Sequence, residues 1–167
     1  ISIIQENEPL GTGGAILHAL KKLQTQQEFI LINGDSLTEI SLAAFCGNNK
    51  GDGLAQIIAV YQEDTCRFGT VIFDEKYHLL CFQEKHKQPS EGWINAGIYY
   101  FPEDWFRGME FKDDQVSLEK DMFPKWLSDK KTIQVFPVNA NFFDIGTPES
   151  YSYYKEQSQL WYSNFLH

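Results

Sequence analysis

Phe29-Ile30-Leu31-Ile32-Asn33-Gly34-Asp35 is the stretch on which the fold turns. Four consecutive apolar residues read as a strand buried on both faces. Its end delivers a polar Asn-Gly-Asp turn. Upstream, Ile16, Leu17, Leu20 and Leu23 recur at helical spacing, so a helix is predicted from Gly13 to Gln24. Before it, Ile1-Ser2-Ile3-Ile4 reads as a short strand. Downstream, Ser41 to Cys46 reads as a short helix, Asn48 to Gly53 as a polar turn, and Leu54 to Tyr61 as a second buried strand. The order β-α-β-α-β predicts a parallel α/β sheet.

Beyond Tyr61 the pattern changes. Gly69 to Phe73 and His78 to Phe82 are short strands around the turn Asp74-Glu75-Lys76-Tyr77, which predicts a hairpin. Trp93 to Phe101 reads as a long strand, and Leu118 to Leu127 as a helix interrupted or restarted at Pro124. Thr132 to Val138 and Phe142-Phe143 are strands, and a closing helix carries Pro148 in its first turn. The expected architecture is one α/β domain over 1–167: a Rossmann-like mixed, mainly parallel sheet flanked by helices, with an antiparallel part folded over one end.

Composition narrows the function. The net charge of −9 disfavours a nucleic-acid surface, which demands clustered Lys and Arg. Cys46, Cys66 and Cys81 are an odd number without metal or redox spacing, as expected for free thiols in a reducing compartment. With no signal-like segment and no apolar run of spanning length, a cytoplasmic protein is expected, with no membrane partner. The chain opens on Ile1 and its two methionines are Met109 and Met122, which suggests a piece of a longer protein.

Two aspartates sit beside glycines at strand ends, in Asn33-Gly34-Asp35 and in Asp144-Ile145-Gly146-Thr147. Carboxylates brought to one sheet edge can hold a hard divalent cation. The alternative is that Asp35 is a turn residue and Asp144 caps the helix near Pro148. The turn Glu8-Pro9-Leu10-Gly11-Thr12-Gly13-Gly14 leads into the first helix, where glycines allow close approach and the helix N-terminus favours anions. Asn95 lies in an otherwise apolar strand, where an unpaired amide would cost about 1–3 kcal/mol. A sugar hydroxyl or a neighbouring backbone group could satisfy it, and Gly97 beside it would clear space. The aromatic C-terminal segment, from Tyr151 to Phe165, is expected to pack on the core or on a second copy of the chain.

Seven elements in order resemble the sugar-phosphate nucleotidyltransferases. They are Glu8-Pro9-Leu10-Gly11-Thr12-Gly13-Gly14, Asn33-Gly34-Asp35, Arg67-Phe68-Gly69, Phe82-Gln83-Glu84-Lys85, Ile94-Asn95-Ala96-Gly97-Ile98-Tyr99, Ser117-Leu118-Glu119 and Phe143-Asp144-Ile145-Gly146-Thr147-Pro148. The nearest branch resembles guanylyltransferases acting on mannose-type or heptose 1-phosphates. The resemblance implies a GT-A-like fold and transfer of a nucleoside monophosphate from a triphosphate to a sugar 1-phosphate, releasing pyrophosphate. It implies Mg²⁺ held by Asp35 and Asp144, with Lys85 as a catalytic cation on the sugar's phosphate. It also implies substrate contacts from Glu6, Gly11, Thr12, Gly69, Glu84 and Asn95. Glu6 at the base edge would accept from the paired N–H donors of guanine, which tilts the base toward GTP. Arg67 is a phosphate contact or a surface residue.

The family's N-terminal Gly-Gly-x-Gly-Thr-Arg-Leu loop has no counterpart between Ile1 and His167. The expectation is therefore a nucleotidyltransferase domain missing its first βα portion and inefficient by itself. A non-catalytic nucleotide-sugar-binding subunit is the alternative. A metal-dependent glycosyltransferase ranks last, because Asp35 is followed by Ser36-Leu37 rather than by an Asp-x-Asp.

Overall fold

A computed structural model describes residues 1–23, 27–47, 53–83, 88–111 and 115–165, with side chains to 158. Its organising strand is β6 (Gly92–Phe101), the run of aromatic and β-branched residues marked in the sequence. Ile94, Ala96, Ile98 and Tyr100 face one side, while Tyr99 and Phe101 join the cluster on the other. Alternation of that kind lets a single strand serve two cores.

One edge of β6 pairs antiparallel with β3 (Ala55–Gln62), and β7 (Ile133–Val138) lies parallel to β3 beyond it. The other edge is shared by two strands. β1 (Phe29–Ile32) pairs antiparallel with Ile98–Phe101, and β4 (Thr70–Phe73) meets β6 at Ile94, with β5 (Leu79–Gln83) outside β4. The α/β expectation holds, and β1, β3 and β7 run in one direction. β6 is inserted between β1 and β3 against that direction, so β3 and β7 are the parallel-bonded pair. The antiparallel part therefore belongs to the same sheet, which the chain order did not reveal. A separate short ladder joins β2 (Ser36–Thr38) to β8 (Phe142–Asp144).

Four helices are described: α1 (Gly11–Leu23), α2 (Leu42–Gly47), α3 (Phe123–Ser128) and α4 (Pro148–Phe165). Ser41 Oγ accepts from the Ala44 N–H at 3.2 Å and so caps α2. A π-helical turn over Leu118–Met122 precedes α3, and Pro124 starts the new helix in its first turn, where a missing N–H costs nothing. Ile1–Ile4 is not a strand; Ile1 and Ile3 are exposed and no ladder partner lies beside them among the described residues. Periodicity alone cannot supply such a partner.

The larger core packs α1 and α3 against β6 through Tyr99, Phe101, Trp105, Phe106, Phe123 and Trp126. The smaller one lies on the opposite face, around Phe45 of α2 with Ile58, Val60 and Ile94. Tyr151 and Tyr153 of α4 stay exposed, while Tyr154 packs edge-on against Phe143 of β8 at 5.3 Å. Among the described residues no helix is long and apolar enough to cross a membrane.

Candidate active site

A bulge in β6 creates the site. Ile57 pairs with Tyr99 and Ala59 with Asn95, so β6 advances four residues where β3 advances two. Gly97 sits in that bulge with φ +71°, the left-handed region that glycine enters freely. The bulge ends the β1 pairing and turns the Gly97 carbonyl toward Asn33, whose N–H donates to it at 2.8 Å. A Cβ on Gly97 would lie 2.6 Å from the Asn33 amide nitrogen. The space expected to be cleared for a sugar is thus occupied by Asn33. The Asn-Gly-Asp turn and the Asn-Ala-Gly strand are complementary pieces of one junction.

That junction aims Asp35 at Asp144. Ser36 and Asp144 are register partners in the β2–β8 ladder, and the Ile145 N–H donates to the Asp35 carbonyl at 2.8 Å. Gly146 lies between the two side chains: a Cβ there would meet Asp144 Oδ1 at 3.1 Å and Asp35 Oδ2 at 3.2 Å. The carboxylates converge on one small space that any side chain at 146 would fill. Neither caps a helix. α4 is capped by Thr147, whose Oγ1 accepts from the Ser150 N–H at 3.1 Å while Ser150 Oγ accepts from the Thr147 N–H at 3.2 Å. Asp144 Oδ1 accepts from the Gly146 N–H at 2.9 Å, and the Arg67 guanidinium reaches Oδ2 at 3.4 Å. Arg67 is 62% exposed, so its ion pair is weak and displaceable. The donor set fits a hard divalent cation, since Mg²⁺ accepts one or two carboxylates and completes its shell with substrate oxygens and water. No third carboxylate, His or Cys joins them among the described residues.

The glycine-rich turn is tied into the fold by its own backbone and side-chain bonds. Gly13 and Gly14 donate their N–H groups to the Val116 carbonyl at 2.7 and 3.2 Å, and Val116 donates back to the Leu10 carbonyl at 2.8 Å. A Cβ on Gly11, whose φ is +73°, would lie 2.5 Å from the Val116 oxygen. The Gly13 and Gly14 amides in the first turn of α1 are therefore bonded to Val116, about a hundred residues further along the chain. Thr12 Oγ1 accepts from the Leu118 N–H at 2.8 Å, and Glu6 accepts from the Leu10 N–H at 3.1 Å. All three residues hold the turn in shape in this structure.

Beside the aspartates lies a cavity of about 740 Å³ lined by Asn33, Arg67, Gly69, Asn95, Glu119 and Asp144, among others. Asp144, Gly69 and Asn95, predicted as parts of one site, do share it. Gly69 also allows β5 to approach, since a Cβ there would lie 3.0 Å from the Gln83 carbonyl. Asn95 is held from within: its Oδ1 accepts from the Gly97 N–H at 2.9 Å and its Nδ2 donates to the Tyr99 hydroxyl at 2.6 Å. Tyr99 in turn donates to Glu119 Oε1 at 2.9 Å. Burial, with the Glu119 carboxylate beside it, pushes the Tyr99 phenol well above its ordinary range, so it remains a donor. Glu84 and Lys85 lie outside the described residues. Glu119 was missed as a site residue; its Ser-Leu-Glu context reads equally as a helix start, and Ser117 does cap that turn through the Lys120 N–H at 3.1 Å.

The mixed sheet with its strand-end site is the GT-A-like α/β fold of nucleotidyltransferases. It superposes with a TM-score of 0.73 on a glucose-1-phosphate thymidylyltransferase from Bacillus anthracis, described as putative, although identity is 15%. The family follows directly: residues 1–159 match the Nucleotidyl transferase family, and the chain belongs to it. It is similar to a mannose-1-phosphate guanylyltransferase of Mycobacterium tuberculosis, 34% identical across 90% of this chain and 42% of the relative. A D-glycero-alpha-D-manno-heptose 1-phosphate guanylyltransferase of Aneurinibacillus thermoaerophilus is 35% identical across 93% of this chain and 65% of its own length. Among solved structures, HddC from Yersinia pseudotuberculosis complexed with GMP-PN matches with TM-score 0.78 and 36% identity, covering 92% of this chain and 65% of that one. The chain thus spans from about two fifths to two thirds of the length of these relatives.

Proposed function

We propose that this chain carries the acid-rimmed, sugar-side portion of a guanylyltransferase active site. The reaction joins GMP from GTP to a manno-configured sugar 1-phosphate, giving a GDP-sugar and pyrophosphate for polysaccharide synthesis in the cytoplasm. The observation that carries the reading is the convergence of Asp35 and Asp144 on Gly146 at the mouth of the cavity holding Asn95. The names of the relatives support guanine and a manno-type sugar.

Asp35 and Asp144 would hold Mg²⁺, which when bound supplies charge neutralisation between the attacking phosphate and the α-phosphate. The chain's own residues then position. Asn95 presents an amide locked by Gly97 and Tyr99, so a sugar hydroxyl meets a preorganised partner. Arg67, poised at Asp144, can turn its guanidinium to the sugar's phosphate once a cation takes over that carboxylate. Lys85 and Glu84 take the roles that the family resemblance implies, a cation for that phosphate and an acceptor for sugar hydroxyls. No protein nucleophile takes part. The 167-residue chain by itself is proposed to turn over poorly.

The test is pyrophosphate release by the full gene product with GTP, UTP, CTP or dTTP against mannose, heptose and glucose 1-phosphates. GTP with a manno-type sugar phosphate should give the highest kcat/KM. A clear preference for another triphosphate would refute the assignment of the base, and absence of release with every pair would refute the reaction.

A further inference from the structure

Glu119 stands in the cavity wall. Tyr99 Oη donates to its Oε1 at 2.9 Å, whereas Thr12 Oγ1 and Ser117 Oγ reach its Oε2 at 3.3 Å each. The two oxygens are therefore held unequally. Oε1 is anchored by a phenol that is fully buried, hydrogen-bonded on both sides and unable to ionise at neutral pH. Oε2 accepts two longer bonds from hydroxyls whose protons are free for it, since Thr12 accepts from Leu118 and Ser117 from Lys120. A carboxylate accepts about four hydrogen bonds and donates none. Three of these acceptor positions are used, two of them by long bonds, so Glu119 keeps acceptor capacity at the cavity it lines.

Asn95 shares the same anchor. Its Nδ2 donates to the Tyr99 hydroxyl that donates to Glu119, so one buried phenol sets the orientation of both cavity-lining groups. An amide and a carboxylate held by a common post form a pair suited to two hydroxyls of one ring. The anionic partner gives the stronger, charge-assisted bond.

We infer that Glu119, positioned by Tyr99, reads a hydroxyl of the sugar bound in this cavity and sets which hydroxyl configuration is accepted. The inference rests on the sugar 1-phosphate reading above and adds a residue to it. Because Thr12 begins α1 and also touches Glu119, the same carboxylate ties the glycine-rich turn to the sugar cavity, two regions 107 residues apart.

Isothermal titration of the full gene product with α-mannose 1-phosphate and its 2-, 3- and 4-deoxy analogues tests the assignment without requiring turnover. Glu119→Gln, nearly isosteric, should weaken the parent sugar phosphate about tenfold and leave GTP affinity within about twofold. Tyr99→Phe should act in the same direction by about threefold, since it removes the post rather than the contact. One deoxy analogue should bind the wild type about tenfold more weakly and lose nothing further in Glu119→Gln, the non-additivity of a shared contact. In the release assay the variants should raise KM for the sugar phosphate more than they lower kcat. Unchanged sugar affinity in Glu119→Gln, equal losses for GTP and sugar phosphate, or additive losses for every analogue would each overturn it. A wild type that turns over normally beside an indifferent Glu119→Gln would sink this inference alone. Failure of the wild type to bind any hexose 1-phosphate would remove the substrate reading together with it.

Discussion

Trp126 and Asp144 belong to regions built on opposite terms. Trp126 is 1% exposed, packs tilted against Phe101 and edge-on against Trp105, Phe106 and Phe123, and donates its indole N–H to the Trp105 carbonyl at 3.2 Å. Asp144 has a side chain 30% exposed, a second carboxylate aimed at the same space, and one weakly held arginine for compensation. Around the tryptophan every contact favours folding, through burial and close packing. Around the aspartate charge has been gathered where folding alone does not need it. Two carboxylates are gathered at the rim, and stability is supplied by the aromatic face behind it.

The largest effect should come from the aromatic side. Trp126→Ala should cost about 3–5 kcal/mol in urea-induced unfolding, enough to threaten the fold. Asp144→Asn and Asp35→Asn should reverse the pattern: turnover falls at least about a hundredfold while the melting temperature holds or rises. Loss of stability in both aspartate variants would mean that the rim is structural, and the contrast would fail.

Gly97→Ala sits between the two regions and should affect both. A left-handed φ and a Cβ 2.6 Å from the Asn33 amide predict about 1–3 kcal/mol of destabilisation, with weaker sugar-phosphate binding as Asn33 is displaced. Thr147→Ala removes the cap of α4 and should cost about 1 kcal/mol, accompanied by weaker Mg²⁺ binding in titration because the Asp144 loop loosens. The smallest effect concerns the turn at the tip of the β4–β5 hairpin, at the opposite end from Thr70 and Gln83. Backbone N–H donors from His78 and Lys76 hold the Asp74 carboxyl below its usual range, against a smaller opposing push from desolvation. A depressed carboxyl stabilises the fold above its unfolded value near about 3.9 and loses that contribution as pH falls through the folded one. Asp74→Ala should therefore shallow the acid limb of the stability profile below about pH 4 and leave the rim's activity unchanged. An unaltered acid limb would remove Asp74 from the account.

Much of this molecule could be read in one dimension. The run from Phe29 to Ile32, the Asp74–Tyr77 hairpin and the restart at Pro124 are local signals, and each element formed where its pattern placed it, although β1 is not buried on both faces: Ile30 and Ile32 are exposed. Ile1–Ile4 shows the limit, since an apolar tetrapeptide becomes a strand only where a neighbour offers hydrogen bonds. Asp35 and Asp144 were legible as a pair because each stands beside a glycine at a strand end. Glu119 was not, because nothing near it in the chain announces Thr12 or Tyr99.

From composition and order alone came the class of fold, the net acidic character, and the motifs of a nucleotidyltransferase. The place of β6 between β1 and β3, the capture of the α1 amides by Val116 and the convergence of residues 35 and 144 were decided only in three dimensions. The reason is the range of the forces involved. Turns and helices answer to neighbours a few residues away, whereas a sheet edge or a shared carboxylate site exists only after segments more than a hundred residues apart have met.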